Sequence, residues 1–182
     1  MRFFRGRLAA VLVFVFIFLF PCRLHAGTGI GVEGGVALPL KDVNGMPTLL
    51  AVTFKTDKVP LIISGRLQLN GTQLSGGGLI ADLWLDEIQV GYSIFDFYYG
   101  IGASFLYHNE VGGDDDTDDD SFSQATGIFV APRVFAGIST MLTSCMELYT
   151  QAAVEPGIVF DEADGFIFRI QMPLSVGLRF WF

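Results

Sequence analysis

The sequence predicts an all-β fold: an eight-stranded antiparallel up-and-down β-barrel that crosses a membrane with its strands. Three observations carry this expectation. First, 51% of the 182 residues are hydrophobic, yet past residue 26 no apolar run approaches the ~20 residues that a membrane helix needs. Second, the apolar residues recur with period two, as strand residues sharing one face do. Third, the periodic segments number eight, an even count and the smallest usual for membrane barrels. A barrel sets only alternate residues against lipid, so its hydrophobicity is spread along the chain.

The segments follow in order. "GTGIGVEGGVAL" puts Ile30, Val32, Val36 and Leu38 on one face, with Gly31, Glu33, Gly35 and Ala37 on the other. "LLAVTFKT" is a weaker strand. "LIISGRLQLN" sets Leu61, Ile63, Leu67 and Leu69 opposite Ser64, Arg66, Gln68 and Asn70. In "LIADLWLDEIQVGY" the phase slips near Asp86-Glu87, and a β-bulge there returns Ile88, Val90 and Tyr92 to the lipid face. "FYYGIGASFLYH" places Phe97, Tyr99, Ile101, Phe105 and Tyr107 opposite Gly100, Gly102, Ser104 and His108. "ATGIFVAPRVFAGI" is blurred, because Phe129 and Phe135 share a face with Arg133. "MELYTQAAVEPGIVF" sorts Met146, Leu148, Ala152, Val154, Ile158 and Phe160 from Glu147, Tyr149, Gln151 and Glu155. The last segment is the clearest. Every even position from Phe166 to Phe182 is apolar, whereas the odd positions include Arg169, Gln171, Ser175, Gly177 and Arg179.

Connections complete the outline. Long gaps are expected at about 39–48, 70–78 and 108–123, alternating with tighter ones at "TDKV", "SIFD" and "STMLTS". The last hairpin turns over Asp161 to Gly165, which sets Phe160 opposite Phe166 and Glu147 opposite Arg179. A one-residue slip would turn a strand's charges into lipid, so the pattern fixes this register. With the first strand rising from the periplasm, the long gaps face outward.

The N-terminus reads as a secretory signal peptide over residues 1–26. Arg2, Arg5 and Arg7 form the basic region, Leu8 to Phe20 the apolar region, and Leu24-His25-Ala26 the cleavage site. An uncleaved anchor and acylation at Cys22 are the competing readings. Residues 27–182 form one barrel domain with Cys145 as its single cysteine, so no intramolecular disulfide is expected after cleavage. Removal of Arg2, Arg5, Arg7 and Arg23 leaves 7 of the 11 basic residues against all 19 acids, a net charge of −12. So acidic a chain is a poor partner for nucleic acid.

The chain ends on "MPLSVGLRFWF". Leu174, Val176, Leu178, Phe180 and Phe182 resemble the terminal pattern of the small eight-stranded outer-membrane barrel superfamily, which includes OmpW-like, OmpX-like and OmpA transmembrane-domain barrels. The resemblance implies the outer membrane of a diderm bacterium, with outer-membrane lipid and the barrel-assembly machinery as partners. Leu178, Phe180 and Phe182 would be the assembly signal. It further implies a structural or interaction role, or passage of small apolar solutes by the OmpW-like analogy. The alternative is a surface adhesin or ligand binder acting through the acidic loop 108–123. A soluble secreted barrel or sandwich would also have one apolar face per strand, but strands this long suit a membrane band.

Chemistry-bearing residues fall into three groups. The inward faces collect Arg66, Arg133, Arg169 and Arg179 against Glu33, Asp82, Glu147 and Glu155. An eight-stranded interior is just wide enough to be filled by side chains, and buried charges must pair, so these predict an internal ion-pair network. The run "GGDDDTDDDS" reads first as a solvated loop. Asp114, Asp115, Asp116, Asp118, Asp119 and Asp120 are candidate ligands for a hard cation, although the spacing is not that of an EF-hand. His108, the one histidine past the signal segment, shares a face with Ser104. Some lipid-modifying enzymes of the small-barrel class use a Ser/His pair, but no acid here is spaced to orient the imidazole. No enzyme activity, cofactor or metal is expected from motifs.

Overall fold

A computed structural model describes residues 27–39, 46–89, 94–110, 125–161 and 165–182. Residues 1–26, and with them the signal peptide, lie outside it, as do Val90, Tyr92 and the six aspartates of the acidic run. Eight strands close into one antiparallel barrel in sequence order. They are β1 (Thr28–Pro39), β2 (Thr48–Thr56), β3 (Leu61–Asn70), β4 (Gln73–Gln89), β5 (Asp96–Glu110), β6 (Ala125–Thr143), β7 (Met146–Asp161) and β8 (Gly165–Trp181). The shortest, β2, has 9 residues, within the ~9–11 that a tilted membrane strand requires.

The register sets the barrel's shape. Stepping from strand to paired strand, Ser175 leads to Gly35, Leu49, Gln68, Gly76, His108, Gly127 and Asp161, and returns to β8 at Gly165. The circuit therefore closes ten residues from its start, at Gly165 rather than Ser175. Ten residues at ~3.3 Å, against eight strands ~4.7 Å apart, tilt the strands by about 40°. The ends seal where Gly27 N–H donates to Phe182 O and Phe182 N–H donates to Thr28 O, both 2.9 Å.

Alternation sorts the side chains. On β2 the pattern is strict, with Leu49, Ala51, Thr53 and Lys55 buried and Leu50, Val52 and Phe54 exposed. The last hairpin has the expected register: Phe160 faces Phe166, Glu147 faces Arg179, and Asp161 faces Gly165.

Some expectations need correction. The third gap is not a long loop over 70–78. Asn70 pairs directly with Gln73 across a two-residue turn, where Gly71 takes φ 61°, a conformation that glycine adopts without steric cost. The glycines at 76–78 belong to β4, within its ladders to β3 and β5. The β4 bulge lies one residue earlier than the sequence suggests. The register shifts between Trp84 and Asp86, so Leu85 is the extra residue, and Ile88 regains the outer face opposite Phe97. On β6, Phe129 and Phe135 do point inward with Arg133, all of them buried. Cys145 lies at the β6–β7 turn.

Candidate functional site

The barrel interior is the candidate site, and it is built in layers. Nearest the end that carries Gly27 and Phe182 lies an aromatic and basic layer. Trp84 stacks on Tyr98 with centroids 4.2 Å apart, and Lys55 Nζ sits 3.1 Å from the Trp84 centroid. Arg179 Nη1 donates to Glu147 Oε2 at 2.9 Å, and Trp181 Nε1 donates to the same oxygen at 2.9 Å. The guanidinium carbon of Arg179 also lies 4.5 Å from the Tyr149 ring centroid.

Two tyrosines fill the next level because glycines make room for them. Tyr98 is opposite Gly137 and Tyr149 is opposite Gly177. A Cβ on either glycine would meet the tyrosine ring, so the pairs act as large and small halves of one packing unit. Tyr149 Oη donates to Glu33 Oε2 at 3.3 Å, and Tyr98 Oη donates to the Thr150 carbonyl at 3.1 Å.

Above them four charges form a neutral cluster. Arg133 Nε lies 2.9 Å from Asp82 Oδ1, and Arg133 Nη1 donates to Glu155 Oε1. Arg66 Nη1 donates to both oxygens of Glu155, at 3.2 and 3.3 Å. Gln171 Nε2 donates to Glu155 Oε2. Glu155 is 0% exposed and Arg66 2%, so these contacts lie in a dry, low-dielectric setting that strengthens them. Burying such charges is costly unless each is paired and hydrogen-bonded. Arg133 bridges Asp82 and Glu155, and Arg66 bonds Glu155, so each charge has an opposite partner, while Arg66 Nε and Asp82 Oδ1 make no hydrogen bond. Beside the cluster a void of about 10 Å³ is bordered by Glu33, Asp82, Arg133 and Arg179, near the lower limit for one water molecule.

Of the eight residues expected to interact inside the barrel, the structure gathers Arg66, Asp82, Arg133 and Glu155 into one cluster, and Glu147 with Arg179 into another. Glu33 bonds to Tyr149 rather than to an arginine in the contacts above. Arg169 lies farther along β8, half-buried and opposite Gly157. His108 and Ser104 are on the inner face of β5, 8% and 1% exposed. Beside them Leu106, Phe129, Ala131 and Val159 form a buried apolar cluster towards the loop end. Ser104 is therefore out of reach of a lipid outside the wall.

Sequence reasoning passed over Lys55, Trp84, Tyr98, Trp181 and Gln171 as site residues. Strand phase was the available signal: Lys55 follows the outward Phe54 on β2, and Gln171 and Trp181 share the odd-numbered face of β8 with Arg179.

No protein-family model matches the chain, and no curated protein matches it in sequence. Solved structures superpose on it. Neisserial surface protein A (NspA) superposes with a TM-score of 0.56 at 14% identity, covering 86% of this chain and 98% of that one. A major outer membrane protein from Thermus thermophilus gives a TM-score of 0.47 at 13% identity, covering 87% and 100%. With eight antiparallel strands closed in sequence order, the chain has the fold of the small eight-stranded outer-membrane barrels of which NspA is one.

Proposed function

We propose that the chain is an integral outer-membrane protein of a diderm envelope, exported through a signal peptide cleaved after Ala26. Its barrel would serve as a closed scaffold for surface interaction rather than as a water-filled pore. The observation that carries this reading is the Arg66–Glu155–Arg133–Asp82 cluster, which occupies the interior beside a void of about 10 Å³. The outward face supports the membrane setting: Val32, Val52, Leu67, Leu79, Val134 and Val176 are all exposed apolar residues, which a bilayer would cover. The acidic run that follows β5 is the interaction element in this reading. A lipid hydrolase using Ser104 and His108 is disfavoured by the burial of both side chains within the wall.

Fractionation with heat-modifiable migration tests the proposal. The protein should sediment with outer membranes, begin at Gly27, and run faster in detergent gels unheated than boiled. Recovery in a soluble fraction, or no shift on boiling, contradicts it. Deleting Glu110 to Asp120 should leave insertion and the heat shift intact while removing surface binding. Unchanged surface binding in that variant, with the heat shift retained, would contradict the assignment of binding to the acidic run.

A further inference from the structure

The end of the barrel that carries Gly27 and Phe182 opens into a cavity of about 530 Å³. Under the orientation proposed above, this end faces the periplasm. Trp84 and Trp181 line the cavity, together with Asp57, Asp86, Glu87 and Asp96. Glu147 also borders it but is committed to Arg179 and Trp181. The other four carboxylates have no ion-pair partner among the described residues, and Lys55 is the one cation among the described residues of the lining.

Lys55 shows what the aromatic part of the cavity accepts. Its ammonium nitrogen lies 3.1 Å from the Trp84 centroid and 5.4 Å from that of Trp181. The indole quadrupole attracts a cation in this position, more strongly where water is excluded. Trp84 is 7% exposed, and its indole N–H finds no acceptor among the described residues. A buried donor left unmet on a residue that lines the cavity calls for an oxygen to receive it. The carboxylates themselves do not converge. Among the described residues no three acidic, histidine or cysteine side chains could hold a metal ion, whereas a hard divalent cation takes about six or more oxygen ligands. Charges spread around an aromatic floor suit an elongated organic cation instead.

We propose that this cavity binds a small organic cation carrying two ammonium groups and an oxygen acceptor, the chemistry of a basic amino-acid amide. One ammonium takes the Trp84 and Trp181 faces in place of Lys55. The second is held by charge-assisted hydrogen bonds to carboxylates of the Glu87 and Asp96 side. The oxygen receives the Trp84 indole N–H.

The chain has 2 tryptophans, and both line this cavity, so intrinsic fluorescence reads it directly. The refolded barrel in detergent is titrated at about pH 6, where both amines of lysinamide are protonated. Lysinamide should change the emission saturably. Magnesium chloride at the same ionic strength should not, and 1,5-diaminopentane, which lacks the oxygen, should bind several-fold more weakly. The Glu87→Gln/Asp96→Asn variant should weaken lysinamide by about tenfold or more, with its heat shift confirming that it folds. Lys55→Met, which removes the resident ammonium, should bind more tightly than wild type. An equal response to magnesium, or an unchanged affinity in the double variant, overturns the site. Equal binding of diaminopentane overturns the role of the indole N–H, and loss of binding in Lys55→Met overturns the displacement of the lysine.

Discussion

Glu155 accepts hydrogen bonds from Arg66, Arg133 and Gln171 while fully buried. Its contribution is best judged by how it is removed. Glu155→Ala leaves Arg66 facing no carboxylate in the cluster, and Arg133 with Asp82 alone. Breaking a fully buried pair from one side costs roughly 3–5 kcal/mol. Removing both charges together, as in Arg66→Met/Glu155→Leu, leaves the neutral Arg133–Asp82 pair and apolar side chains of similar bulk. Such exchanges are often close to neutral. In denaturant unfolding followed by tryptophan emission, the single variant should therefore be less stable than the double variant. A double variant that loses as much as Glu155→Ala would show that the cluster is not held by pairing. The Tyr98–Gly137 and Tyr149–Gly177 pairs act at the same scale, since each glycine is the space that its tyrosine occupies.

At the scale of the strands, legibility followed how uniform each face is. The β7–β8 hairpin could be read to the residue because Glu147 and Arg179 mark the inside while Phe160 and Phe166 mark the outside. β6 resisted because a narrow interior is not simply polar: Phe129 and Phe135 enter it beside Arg133, filling space between charges. β4 resisted in its first half. Its three successive glycines at 76–78 look like a loop, since glycine is depleted in strands, but they pair across both neighbouring strands. Its bulge at Leu85, by contrast, was legible from the phase slip beside Asp86, and Ile88 regains the outer face as expected. The ionic cluster was legible as a set of inward charges, but its partners were not, because Arg66 on β3 reaches Glu155 on β7 across the lumen and strand pairing does not encode that contact. The end of β8 supports a separate prediction. Phe182 is exposed and its backbone closes the barrel on Thr28. A charge on the lipid face near an interface costs only about 0–1 kcal/mol. If Phe182→Asp nonetheless removes most of the inserted protein from outer-membrane fractions, the residue acts in recognition during assembly rather than in stability. Normal levels of inserted variant would contradict an assembly role for the terminal aromatic.

The whole molecule combines an apolar exterior with an interior filled by side chains between the cavity at one mouth and the apolar cluster towards the other. A stagger of ten residues over eight strands gives a narrow tube. Lys55, Trp84 and Arg179 occupy one end of it, the four-charge cluster the middle, and Leu106, Phe129 and Val159 the part towards the loops. Such a barrel can present a cavity at one mouth without conducting between its two sides. The measurement that tests this most directly is the conductance of the purified monomer in a planar bilayer. The filled interior predicts little steady current for the wild type. It also predicts intermittent leakage in Arg179→Ala, where Glu147 loses its cationic partner and keeps only Trp181, and water enters. Large, stable, ohmic channels from the wild-type monomer would contradict the account and identify the barrel as an open pore.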